Sequence, residues 1–222
     1  MSKLLTSGLI AGPFFFSVWL VQAFTRDGFD LRRHPMSLLA NGDWGFIQIA
    51  NFVITGALCI LAAIGLSFVL RGGRAQTWGP VLIGAFGVGF VLAGVFVTDP
   101  GAGFPIGAPE GMPIERTLSG ALHDVGFALA QVAWLAACFV LRRRFVANGE
   151  RGWGQVCVAA AAGAVVVAGF PHLESMSLRL AGATAIELGF VAAVCRRFLH
   201  GAEPSTARLD AFKGSPSSRA CP

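Results

Sequence analysis

"WGFIQIANFVITGALCILAAIGLSFVL", residues 44–70, contains no Asp, Glu, Lys or Arg. A helix rises about 1.5 Å per residue, so this stretch would extend about 40 Å, more than the roughly 30 Å hydrocarbon core of a bilayer. A run this long and apolar reads as a transmembrane helix. Five more stretches of crossing length lie at roughly 4–25, 79–98, 118–141, 153–171 and 178–195. The expected fold is therefore all-α: a polytopic membrane protein with six transmembrane helices. The first stretch is too long and uniformly apolar for a signal-peptide core, and no small-residue cleavage site follows it, so it is expected to be retained.

Composition agrees with that reading. Of 222 residues, 55% are hydrophobic and only 13% charged, against about 25% charged in soluble domains. The cations sort by side. Lys3, Arg71, Arg74, Arg142, Arg143, Arg144, Arg151, Arg196, Arg197, Arg208, Lys213 and Arg219 fall on one side, against Arg26, Arg32, Arg33, Arg116 and Arg179 on the other. The positive-inside rule places the first set, and both termini, in the cytoplasm. The net charge of +5 is then a topology signal and no sign of nucleic-acid binding. The expected location is the bacterial cytoplasmic (inner) membrane, with membrane lipids as the surroundings.

Residues 1–199 read as one six-helix membrane domain. Residues 200–222, "HGAEPSTARLDAFKGSPSSRACP", are polar, rich in Pro and Ser, and without a period, and read as a disordered cytoplasmic tail. "FVLRGGRAQTWG" at 68–79 echoes "FVLRRRFVANGERGWG" at 139–154, which suggests two similar hairpins. Cys59, Cys138, Cys157 and Cys195 fall within spans, so no disulfide framework is expected. Small residues recur at four-residue spacing: Ala85, Gly89 and Ala93 in the third span, and Ala181, Ala185, Gly189 and Ala193 in the sixth. Both stripes read as seams where helix backbones approach closely.

Polar chemistry gathers on the outer side. "FVTDPGAGFPIGAPEGMPIERTLSGALHDVGF", residues 96–127, carries Asp99, His123 and Asp124. "LRRHPMSLLANGDWG", residues 31–45, carries Arg33, His34 and Ser37. His172 maps to the same side. Asn51, Gln131 and Glu187 fall deeper within spans, so these groups form a descending ladder that would line a wet vestibule if they face one another. Glu187 lies near mid-membrane, where a carboxylate costs several kcal/mol unless paired, protonated or hydrated. It reads either as a substrate or proton site or as a protonated group bonding across helices. Gln48, Asn51 and Thr55 share a helix face and read first as interhelical hydrogen-bonding groups. His34, Ser37, Asp99 and His123 are the candidate catalytic residues. Arg33, Asn51, Asp124, His172 and Glu187 are the candidate substrate-binding residues. No cofactor is assigned, and the metal question stays open: a zinc site would need His34, His123 and His172 to converge.

"HPMSLLANGDWGFIQIANFVITGAL" (34–58), "GVFVTDPGAGFP" (94–105) and "SGALHDVGF" (119–127) resemble the signature segments of the bacterial membrane proteins grouped as domain of unknown function 998. The resemblance runs from about residue 5 to 198. It implies a compact multi-helix integral membrane protein and brings no settled activity, substrate or cofactor. A His-Gly pair often opens the fourth helix in that pattern; here the place is Ser119-Gly120. The departure removes a partner that a metal-clamping His123 would want.

The sequence leaves three function classes. One is a membrane-embedded hydrolase with an outward-facing polar site, acting on a lipid or lipid-linked substrate. The second is a small transporter or proton-coupled carrier, motivated by Glu187, Gln131 and Asn51. The third is a non-catalytic scaffold, working with a membrane-protein partner or as a homo-oligomer.

Overall fold

The structure is a computed structural model and describes residues 1–111, 113, 116–170 and 175–201. The expected tail, apart from His200 and Gly201, lies outside the described residues. Six helices make up the fold: α1 (Ser2–Thr25), α2 (Gly45–Val69), α3 (Trp78–Val95), α4 (Leu118–Ala147), α5 (Arg151–Gly169) and α6 (Met176–Gly201). All six are long and apolar enough to cross a membrane. A 3-10 turn, Met36–Ala40, precedes α2. The described residues form no strand.

Each helix packs on the next, and α6 returns to α1, so the bundle closes into a ring. In lipid there is little hydrophobic force between helices, and close packing has to hold them together. Gly89 and Gly126 show how. A Cβ on Gly89 would stand 2.6 Å from the Gly126 carbonyl oxygen, and one on Gly126 would stand 3.0 Å from that of Gly89. Backbones of α3 and α4 meet there, so the third-span seam is real. The sixth-span stripe is not a seam within the chain. Ala185 and Gly189 are exposed, because α6 turns its opposite face, with Leu188, Val191 and Cys195, into the core.

Most of the described basic residues collect at one end. Arg144 donates through Nη1 to the carbonyls of Leu70 (2.8 Å), Gly72 (3.2 Å) and Arg74 (3.0 Å), satisfying carbonyls that the end of α2 leaves open. The two echoing segments are thus joined by an arginine of the second. Arg197 pairs with Glu150 at 2.9 Å and ties the end of α6 to the α4–α5 turn. Cys59, Cys138, Cys157 and Cys195 are buried and unbridged.

Helix ends differ from the expected spans for local reasons. α3 stops at Val95, because Thr98-Asp99-Pro100 prefers extended backbone. α4 runs on to Ala147, past the expected 141, because arginine favours helix and its long stem carries the charge to water.

At the opposite end, two loops cover the bundle: 26–44 and the described residues of 96–117. Phe29, His34 and Phe104 meet there with ring centroids 5.3 to 5.5 Å apart. The Arg26 guanidinium sits 5.5 Å above the Phe104 ring and donates to the carbonyls of Leu39 (3.2 Å) and Asn41 (2.7 Å). This cluster clips one loop to the other.

Candidate functional site

Below those loops lies a cavity of about 580 Å³, lined by α1, α2, α3, α4 and α6. α5 contributes nothing to its wall. α4 presents one face at 120, 123, 124, 127, 130 and 131, and α6 presents one face at 176, 180, 184 and 187. Counting along the helices, His123 lies about 8 Å below the loops, and Glu187 and Gln131 about 16 to 20 Å below them. The middle of the wall is apolar, with Phe15, Phe52, Phe90 and Phe127. Phe15 meets Phe52 and Phe90 edge-to-face, and Phe52 and Phe90 are tilted to each other, with centroids 5.4 to 5.8 Å apart.

Asp99 reaches the cavity rim from the extended segment after α3. Its carboxylate accepts the Thr117 backbone N–H (3.1 Å) and hydroxyl (2.5 Å). Thr117 in turn accepts the Gly120 N–H at 3.0 Å as the N-cap of α4. A negative charge is stabilised at a helix N-terminus by the helix dipole. A Cβ at 120 would collide with that carboxylate and displace it from Thr117, so glycine at 120 keeps this contact in place.

His123 is buried in the cavity wall, with its ring edge-on to Phe52 at 6.3 Å. Its Nδ1 faces the carbonyls of Ala93 (2.9 Å) and Phe96 (3.1 Å). Two carbonyls require an N–H, so Nδ1 carries a proton, and in the neutral ring Nε2 keeps a lone pair. His34 is built differently. Its Nδ1 accepts the Asp30 N–H at 2.8 Å and its Nε2 donates to the Ala102 carbonyl at 2.9 Å. Both nitrogens are committed to backbone, and His34 does not line the cavity.

Glu187 is 1% exposed and lines the deep part of the cavity. Among the described residues neither carboxyl oxygen has a hydrogen-bond partner. Gln131 on α4 is the polar side chain acting on it, outside hydrogen-bond geometry. Trp134 donates its indole N–H to the Glu187 backbone carbonyl at 3.2 Å, which fixes the backbone of α6 against α4 at this level.

Arg33 lines the rim but is paired with Glu110 at 2.7 Å, across the two loops. Asp124 lines the rim and is paired with Arg116. Ser37 lines the cavity from the 3-10 turn. Asn51 lies outside the cavity. It donates to the Phe15 carbonyl (3.1 Å) and the Gln48 side chain (3.1 Å), and Gln22 donates to Gln48 at 2.8 Å. This cluster joins α1 to α2. His172 lies outside the described residues. Among the described residues, no group of three or more His, Cys, Asp or Glu is arranged to hold a metal ion.

The ladder read from sequence therefore gathers Arg33, Ser37, Asp99, His123, Asp124, Gln131 and Glu187 around one space, without His34 and Asn51. Arg116, Thr117 and Thr184 were missed among the described polar residues around the cavity. Thr117 was legible as a Thr immediately before an apolar helical run. Thr184 was legible at i−3 from Glu187 on the same face.

A family model described as "Protein of unknown function (DUF998)" matches residues 9–197, and the chain belongs to that family. No curated protein and no solved structure matches the chain.

Proposed function

We propose that this member of the DUF998 family is a bacterial inner-membrane protein that takes an amphiphilic molecule from the outer side into the helix bundle. One observation carries the reading: a single cavity has a polar rim, an aromatic middle and a carboxyl group at depth. Such a site suits a ligand with a large apolar body and few polar atoms. The orientation rests on the basic end facing the cytoplasm. Alkaline-phosphatase fusions after residue 110 should be active, and fusions after residue 73 inactive; the reverse pattern would invert the whole assignment.

Occupancy is tested with N-phenyl-1-naphthylamine, a neutral fluorophore, on the full chain in nanodiscs. Saturable enhancement above empty nanodiscs is expected. Leu180→Trp, at a half-buried wall position, should abolish it while leaving the thermal midpoint close to wild type. Equal enhancement in that variant would remove the pocket reading.

A second reading adds catalysis, and the Nε2 lone pair of His123 favours it. His123 would act as general base in hydrolysis of a lipid or lipid-linked ester. Water adds to the acyl carbon as its proton passes to Nε2. That proton then leaves with the departing alcohol, and a carboxylic acid remains. Release of acid from a labelled lipid panel should vanish in His123→Asn while fluorophore binding persists. Turnover by that variant would exclude the base role. The carrier and scaffold readings predict binding without turnover in the wild type.

A further inference from the structure

Resting on the pocket reading, we infer that the occupant is a lipophilic cation, an ammonium or other onium group on a compact apolar body, whose charge sits against Glu187. Four observations converge. First, Glu187 is 1% exposed, and among the described residues its carboxyl has no cation beside it, only the neutral Gln131 side chain. A buried carboxylate left in that state is costly, and an opposite charge offsets the cost. Second, the arginines on the wall are committed elsewhere. Arg33 is paired with Glu110 and Arg116 with Asp124, both at the rim, one helix turn or more above Glu187. Third, the other polar groups at this depth, the Gln131 amide and the Thr184 hydroxyl, are neutral, and each can accept as well as donate hydrogen bonds. His123 Nε2 above them is also an acceptor. Fourth, the wall between rim and carboxyl is built from Phe15, Phe52, Phe90 and Phe127. Phenyl rings accommodate a cation through their quadrupole and an apolar body through contact area.

An anionic ligand would meet a carboxyl at depth with no cation beside it. A neutral one leaves Glu187 as it is now. A lipophilic cation satisfies the carboxyl and the rings together.

Two probes of matched size and shape and opposite charge decide the matter: tetraphenylphosphonium and tetraphenylborate. Tritiated tetraphenylphosphonium binding would be measured on the full chain in nanodiscs, with empty nanodiscs subtracted. Saturable binding is expected, and tetraphenylborate, assayed separately because the two ions form an insoluble salt, should show none. Glu187→Gln should weaken it tenfold or more, and Glu187→Asp only a few-fold. Thermal midpoints of both variants identify any that fail to fold. The inference is overturned if Glu187→Gln binds the cation like wild type, if tetraphenylborate on its own binds as well as the cation, or if the cation does not bind. Where N-phenyl-1-naphthylamine still occupies the wild-type cavity in those cases, the cation assignment falls and the pocket stands. Where neither probe binds, both readings fall.

Discussion

Two histidines sit at the same end of the bundle, and both are nearly sealed from solvent, His34 at 4% exposure and His123 at 6%. They differ in what is left over. His34 spends both ring nitrogens on backbone groups and its ring faces on Phe29 and Phe104. His123 spends one nitrogen on two carbonyls and keeps the other for a cavity. The first region is saturated and holds loops together. The second is anchored but incomplete, which is the condition of a site. Burial alone does not separate them; counting donors and acceptors does.

The largest effect should come from breaking the saturated region. His34→Ala removes two hydrogen bonds at about 1 kcal/mol each and an aromatic contact of about 1 kcal/mol. A loss of about 3 kcal/mol is expected, read as a lowered thermal midpoint in nanodiscs. A wild-type midpoint would show that the loops are held by something else. Asp99→Asn comes next. It replaces an anion at the start of α4 and turns one acceptor of Thr117 into a donor, so about 1 to 2 kcal/mol should be lost.

His123→Asn should cost less, about 1 kcal/mol or below, because an Asn amide can offer its N–H where Nδ1–H now stands. His123→Ala loses that anchor as well and should be the less stable of the two. The comparison sharpens if His123→Asn folds like wild type yet loses whatever depends on Nε2. It breaks if the two variants are equally stable, since His123 would then have no anchoring bond to lose.

The membrane fold was legible because it follows from length and apolarity alone: residues 44–70 cannot be read otherwise in a chain with this composition. The cavity was half legible. Depth comes from counting residues along a helix, so Asp99, His123 and Glu187 could be ranked from the rim inward before their faces were known. Facing direction comes from tertiary contacts, which periodicity does not give in helices that are apolar all round. Asn51 has the right depth but turns toward α1, where the Phe15 carbonyl takes one of its hydrogen bonds; Gln48, one turn back on α2, takes the other. His34 has the right neighbours in sequence but is captured by a loop 68 residues away through Ala102. The α6 stripe failed for the same reason: spacing says that Ala185 and Gly189 share a face, and only the burial of Leu188 and Val191 says which way that face points.

The smallest effect concerns the rim. Arg33 bridges to Glu110 with both partners largely in water, 49% and 82% exposed. Exposed ion pairs contribute about 0 to 1 kcal/mol and are screened by salt. Arg33→Ala should therefore lower the thermal midpoint barely at all, and 0.5 M NaCl should remove most of whatever difference exists. The same variant should change N-phenyl-1-naphthylamine affinity less than threefold, since the fluorophore's contacts lie with the rings below. A drop in stability comparable to that of His34→Ala would assign the bridge to the saturated region, and the loops would then be held by charge as well as by the aromatic clip. A large loss of fluorophore binding with stability intact would place Arg33 in the site itself. The division between an anchoring rim and a binding interior would then lie deeper than the Asp99 level.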